Sequence, residues 1–286
     1  MFTDQPVTPL HLESILSFVR IYASKRSFTR DAVKDIFQPA SVTPNQTQSQ
    51  EALKAAMELK LVLEAEDKTV TPAKELTGKF PVDEYLKAVL DDMVLGALDI
   101  EPYLALFYSF MLGRDQNAFG KTRDDWVLDF NREVFDNKEQ SNQFNSTKWT
   151  GLHRWFSYMG LGWYDQSGEF NCNPFSRVAR RLPVLFGQKK KLESDAFFSA
   201  LSVACPELDG GEIFLKANRR YDPSARQCSL GLSHALIDLH YSQLIVLHCP
   251  KDSAGWSIAI AGPPGDGKTL VGDRISQIEL GKGVSK

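Results

Sequence analysis

One local pattern occurs three times in this chain and restricts the fold more than any single motif does. An apolar helix runs into a short turn ending in leucine, and a two-stranded ribbon with a polar tip follows. The first copy is "EALKAAMELK" followed by "LVLEAEDKTVTP". The second is "KWTGLHRWFSYMGLGWYDQSGEFNCNP", whose helix carries Leu152, Trp155, Phe156 and Met159 and stops at Gly160. The third is "LSHALIDLHYSQLIVLHCPKDSAGWSIAIAG", with Leu232, Leu236 and Leu239 on one helix face. Its expected strands are "LIVLH" and a returning "WSIAIA" around the turn "PKDSAG". The linking turns are Leu59–Lys60–Leu61, Met159–Gly160–Leu161 and Ser242–Gln243–Leu244. Helical spacing that switches to short β-like runs predicts a helix joined to a hairpin each time, and recurrence predicts tandem units.

The material around these copies reads as helical. "LHLESILSFVRIYA" has apolar residues at helical spacing, and "SFTRDAVKDIF" offers Thr29 as an N-cap for a second short helix. "PVDEYLKAVLDDMVL", "IEPYLALFYSFML" and "DDWVLDFNREVFD" supply further helices. Tyr103, Phe107, Tyr108 and Phe110 make the second of these a core or interface helix. The expected fold class is mainly α with small β-hairpin wings (α+β), in two or three units. The boundaries fall at 1–78, 79–188 and 189–286, with Arg177–Lys191 as a helix or linker entering the last unit.

Three helices followed by a wing, repeated, resembles the winged-helix superfamily, MarR-like regulators included. In layout the chain resembles the DpdG-type accessory proteins of bacterial 7-deazaguanine DNA-modification and phage-defence islands. That resemblance implies a non-catalytic, nucleic-acid-associated adaptor or regulator working beside ATPases or helicases of the same system. A purely protein-interaction module is the reading without nucleic acid.

Composition narrows the class. A net charge of −3 excludes a globally basic nucleic-acid coat but not a local basic face. Cys172, Cys205, Cys228 and Cys249 form no CxxC pair, which fits a reducing compartment. The N-terminal stretch lacks the charge and apolar core of a signal peptide, and no run reaches membrane-span length. A cytoplasmic protein without membrane contact is expected.

"GPPGDGKT", Gly262 to Thr269, matches the P-loop pattern letter for letter. In a nucleotide site Gly262 and Gly267 would let backbone N–H groups wrap phosphate, with Lys268 adding charge and Thr269 a magnesium ligand. Such a loop also needs parallel strands and a Walker-B-type acid. The chain before it reads as helices and hairpins, and "VGDRISQIEL" after it is polar and helix-like. The expectation is therefore a turn into a last helix, with nucleotide binding as the alternative, and no cofactor.

No other motif carries catalytic chemistry. The five histidines, among them His234 and His240 six residues apart, form no HExxH or HxH, so no metal site is expected. Asp91, Asp92 and Asp99 are expected on the solvated face of an apolar helix, and Glu207–Lys216 gives only a faint nuclease-like acid-and-lysine spacing. The basic segments say more. "RVARRLPVLFGQKKK" carries Arg177, Arg180, Arg181, Lys189, Lys190 and Lys191, and "KANRRYDPSAR" carries Lys216, Arg219 and Arg220. These are the candidate phosphate contacts. The three recognition-type helices offer Lys54, Glu58 and Lys60, then Lys148, His153 and Arg154, then Ser233, His234 and Asp238. None presents the Arg, Asn or Gln row that reads bases, so DNA contact is expected to be weak and led by phosphates.

Overall fold

In chain order the first elements of the computed structural model are α1 (Pro9–Phe18), β1 (Phe28–Thr29), α2 (Arg30–Phe37), α3 (Thr47–Glu58), β2 (Val62–Glu64) and β3 (Thr69–Pro72). Then come α4 (Val82–Leu90), α5 (Pro102–Leu112), α6 (Arg123–Phe135), α7 (Ser146–Met159), β4 (Gly162–Tyr164) and β5 (Phe170–Cys172). The last are α8 (Phe175–Phe186), β6 (Lys191–Glu193), α9 (Ser194–Ala204), α10 (Glu212–Ala217), α11 (Leu230–Tyr241), β7 (Ile245–His248), β8 (Trp256–Ser257), β9 (Arg274–Ile275) and β10 (Gln277–Leu280). The structure describes all residues except 1, 4–6, 24, 115–119, 136–142, 167, 253, 260–272 and 283–286. The described chain is thus mainly helical with small antiparallel sheets. It divides into two compact units, Met1–Leu104 with Asn145–Tyr158, and Ala105–Phe144 with Met159–Lys286.

In the first unit, α1 starts where Thr8 accepts the N–H of His11 and Pro9 fixes the opening turn. Thr29 caps α2 as its sequence position predicts, accepting from Ala32 N at 3.2 Å. Leu12, Ile15 and Leu16 of α1 and Ala52, Leu53 and Ala56 of α3 are fully buried, and the two helices pack together. A three-stranded sheet in the order β1-β3-β2 closes this side, with Phe28 opposite Val70 and Val62 opposite Pro72.

The second unit repeats that order. β6 leads directly into α9, and β7 and β10 complete a sheet in the order β6-β10-β7. In both sheets the strand before the helices and the first strand after them flank the returning strand. α8 packs on α9 and α11, burying Val178, Leu182, Leu185 and Phe186. Elsewhere in the unit Phe107 lies 4.9 Å from Phe130 and 4.6 Å from Phe144 between ring centroids, so the aromatic face of α5 is core.

The three repeated turns share a backbone solution. Lys60, Gly160 and Gln243 take left-handed φ values of 56°, 68° and 59°. After α3, Leu61 N bonds Ala56 O and Lys60 N bonds Met57 O; after α11, Leu244 N bonds Leu239 O and Gln243 N bonds His240 O. These bonds satisfy the last helical carbonyls. The leucine carbonyl then accepts from the residue that follows each returning strand: Ala73 N to Leu61 O, Asn173 N to Leu161 O, and Gly281 N to Leu244 O.

Several expectations are corrected. Trp256–Ser257 does not return along β7 but pairs with Arg274–Ile275. The partner of β7 is Gln277–Leu280, inside the stretch expected to be helical, with Leu247 opposite Ile278. A bend at Ser276 resets the strand alternation, so Ile275 and Ile278 are both buried at an interval that mimics helical spacing. α3 begins at Thr47 rather than near Glu51, which adds the exposed Gln48 and Gln50 to its first turns. Asp91 is buried, not solvated, because α4 continues as a π-helical turn over Asp91–Leu95 that rotates it inward. Lys148 is buried too, its ammonium 5.1 Å from the Tyr103 ring centre, so it is not available as a base reader.

Candidate phosphate-binding surface and cleft

The basic residues singled out by the sequence fall into three environments in the second unit. The first is interior. Arg177 on α8 is wholly buried against Glu207, with Nε to Oε1 at 2.7 Å and a further bond to the Ala204 carbonyl at 3.3 Å. Glu207, the first residue of the nuclease-like spacing, is equally buried. Two charges removed from water need each other, so the pair belongs to the core and Arg177 is withdrawn from the phosphate contacts. Arg180 and Arg181 are half-buried, and Arg180 donates to the Met159 carbonyl at the end of α7, 3.1 Å away.

The second environment is a sheet edge. Lys189, Lys190 and Lys191 are exposed where the chain leaves α8 and enters β6. The Lys190 carbonyl accepts from Leu280 N at 2.7 Å, which anchors the backbone while the three side chains project into water. Lysines on an edge strand also discourage further strand pairing.

The third is a cleft of about 720 Å³, lined by Arg114, Arg132, Glu133, Arg219, Arg220 and Tyr221 among others. Asn218 ends α10 and donates to the Ser109 carbonyl at 2.8 Å, which fixes the start of the Arg219–Arg220 segment. Arg219 donates to the Val134 carbonyl in the last turn of α6 at 2.9 Å, where the helix dipole favours a cation. Arg114 follows α5, with its guanidinium 3.9 Å from the Phe110 ring centre and 2.8 Å from Glu133. Arg132 reaches the same carboxylate at 3.3 Å. Burial pushes the Glu133 carboxyl up, but the Arg114 hydrogen bond and the charges of Arg114 and Arg132 outweigh it, leaving its pKa below the ordinary value. Four arginines therefore line one cleft with Glu133, Arg132 also pairing with Asp129 at 2.5 Å, and directional N–H groups of this kind suit anions. Lys216 stands exposed on α10 nearby in sequence.

Residues 7–253 match the DpdG-like family. The chain belongs to the DpdG-like family. No protein of curated function and no solved structure matches it. The family match stops short of Gly262, Gly267, Lys268 and Thr269, and these nucleotide-binding candidates lie outside the described residues. Arg274–Ile275 and Gln277–Leu280 of the DpdG-like chain are strands. No helix among the described residues is long and apolar enough to cross a membrane.

The sequence pointed to Arg219 and Arg220 but not to Arg114 and Arg132. Each of those sits alone in its own segment, Arg132 between Asn131 and Glu133. Only the packing of α6 against α10 brings them to one cleft, and no local signal announces it. The described histidines include two engaged structurally: His240 Nδ1 lies 3.3 Å from Leu247 N, and His248 lies 3.2 Å from Glu279.

Proposed function

We propose that this DpdG-like protein is a non-catalytic, nucleic-acid-associated adaptor in a multi-component bacterial DNA-modification and phage-defence system, acting in the cytoplasm with protein partners of that system. Family membership across residues 7–253 carries this reading. Its structural basis is a series of winged-helix-like segments, 1–78, 79–188 and 189–286, with α8 entering the third. The support is the shared order of strands in the two three-stranded sheets and the common turn that starts each wing.

DNA contact is weak and led by phosphates. The first wing has an acidic tip, Glu64, Glu66 and Asp67 beside Lys68, which offers little to phosphates. Half of α11 is buried, Ser233 included, and its exposed residues are Asp238 and Tyr241. Phosphate contact falls instead to Lys189, Lys190, Lys191, Lys216, Arg219 and Arg220, all exposed in the second unit. The test is duplex-DNA binding measured across a salt series for the wild type and for a Lys189→Ala/Lys190→Ala/Lys191→Ala variant. Salt-sensitive binding that the triple substitution weakens supports the adaptor reading. Binding absent at low salt, with protein partners still recovered by co-purification, would replace it with a protein-only module.

A further inference from the structure

We infer that the arginine cleft is a small-molecule site for a nucleoside di- or triphosphate, with the phosphates among Arg114, Arg132, Arg219 and Arg220 and the nucleoside in an adjoining cavity. This goes beyond the DNA reading and does not rest on it.

Three observations converge. The first is charge. Four guanidinium groups around one concavity repel one another; Glu133 is the one acid among the described residues of its lining, and Asp129 pairs with Arg132 beside it, which still leaves a positive excess. A ligand with two or three negative charges relieves that excess, whereas a single phosphodiester of a DNA backbone brings one charge per contact. The second is unmet bonding. The Nε of Arg114 is buried and has no hydrogen-bond partner among the described residues, although buried donors are nearly always satisfied. Arg220 is exposed at the rim.

The third is shape. A second cavity of about 200 Å³ adjoins the first and shares Gly113, Phe214, Arg220 and Tyr221 with it. Together they fall in the size range of small-ligand sites, roughly 300–1,000 Å³. Tyr221 stands at the junction, its hydroxyl donating to the Gln227 carbonyl at 3.0 Å and its ring set edge-on to Phe214 at 4.9 Å. A ring held that way offers a base a stacking surface. Asp222 and Gln227 line the second cavity and add acceptors for ribose hydroxyls and base edges. Gly113 belongs to the wall where Asn218 comes closest, since a Cβ there would lie 2.2 Å from its Oδ1. Lys189–Lys191 offer the contrasting surface, an open sheet edge suited to an extended backbone.

The experiment is isothermal titration calorimetry of the full chain with ADP, with GDP and with inorganic phosphate. Wild type is compared with Arg132→Gln, Arg220→Gln, Lys268→Ala and the Lys189–Lys191 triple alanine variant. The expected result is saturable nucleotide binding, tighter than that of phosphate, and weakened about tenfold or more by each arginine substitution. Lys268→Ala and the triple variant leave it unchanged. Arg132 and Arg220 lie at the surface of the cleft, so neither substitution opens the core, and thermal melts of the two variants check this. Absence of saturation by either nucleotide at millimolar concentration overturns the inference. So does binding that survives both arginine substitutions or disappears in Lys268→Ala. Loss of DNA binding in the triple variant with nucleotide binding retained separates the lysine edge from the cleft, whose Arg219 and Arg220 the two ligands would share, and failure of DNA binding altogether would leave the nucleotide result standing.

Discussion

Replacing Arg177 by alanine separates a structural arginine from a phosphate contact. Both partners of the Arg177–Glu207 pair are fully enclosed, and their atoms approach to 2.7 Å. A second guanidinium nitrogen lies 3.5 Å from the other carboxylate oxygen and 3.3 Å from the Ala204 carbonyl. Removing the arginine strips the buried Glu207 carboxylate of this ion pair, a loss of about 3–5 kcal/mol in comparable pairs. For a unit of this size each kcal/mol lowers the melting temperature by about 2–4 °C, so Arg177→Ala should melt about 6–20 °C below wild type. Replacing both charges together, as Arg177→Met/Glu207→Leu, removes the buried carboxylate as well and should recover most of that stability. Circular dichroism melts of the two single variants and the double give the coupling energy directly. If Arg177→Ala melts with the wild type yet binds DNA more weakly, the burial argument fails and Arg177 returns to the phosphate contacts. A double variant as unstable as the sum of its singles would refute the ion-pair account in another way.

Three further outcomes are expected. In the triple alanine variant at Lys189–Lys191, the slope of log K against log salt should fall in magnitude by up to about 2.7, which is about 0.9 for each phosphate that a lysine no longer neutralises. Gly160→Ala should cost about 1–2 kcal/mol in denaturant titrations, because its φ of 68° is left-handed and a Cβ would lie 2.7 Å from Ser176. Glu133→Gln should cost under about 1 kcal/mol at neutral pH, the exposed part of the pair being screened. Because the folded pKa of Glu133 lies below the ordinary 4.5, that contribution is present above the unfolded value and fades as pH falls through the folded one. Melts repeated from pH 7 to pH 3 should therefore show the two proteins converging in acid.

What the sequence made legible follows physical range. The three turns were readable because each is local: an apolar helix end, one residue able to adopt left-handed φ, and a leucine that is buried in the first two copies and half-buried in the third. The Thr29 cap was readable for the same reason, since donor and acceptor lie three residues apart. Ile275 and Ile278 misled because a single bend at Ser276 converts strand alternation into an apparent helical interval. β1 and β6 were missed because strands of two and three residues carry too few side chains to show a period. The basic residues divide the same way. Their charge is written in the sequence, but burial decides their role, and the partner that buries Arg177 lies 30 residues away.

The first and second units share the order strand, helices, strand, strand, with the last strand central in each sheet. They also share the hydrogen bond from the residue after that strand back to the turn leucine. Yet their surfaces diverge. The first unit exposes Gln48 and Gln50 at the start of α3 beside an acidic hairpin tip, while the second exposes only Asp238 and Tyr241 on α11 and gathers its cations on α10, its following segment and the β6 edge. The exposed residues of α11, Asp238 and Tyr241, include no Arg, Asn or Gln to meet a base edge. If one unit of the pair reads base edges, it is therefore the first. Gln48→Ala/Gln50→Ala should then alter sequence preference while leaving the salt slope intact, and substitutions at Lys189–Lys191 should do the reverse. Competition assays with duplexes of different sequence at one fixed salt concentration distinguish the two, and equal preference in both variants would refute this division of labour.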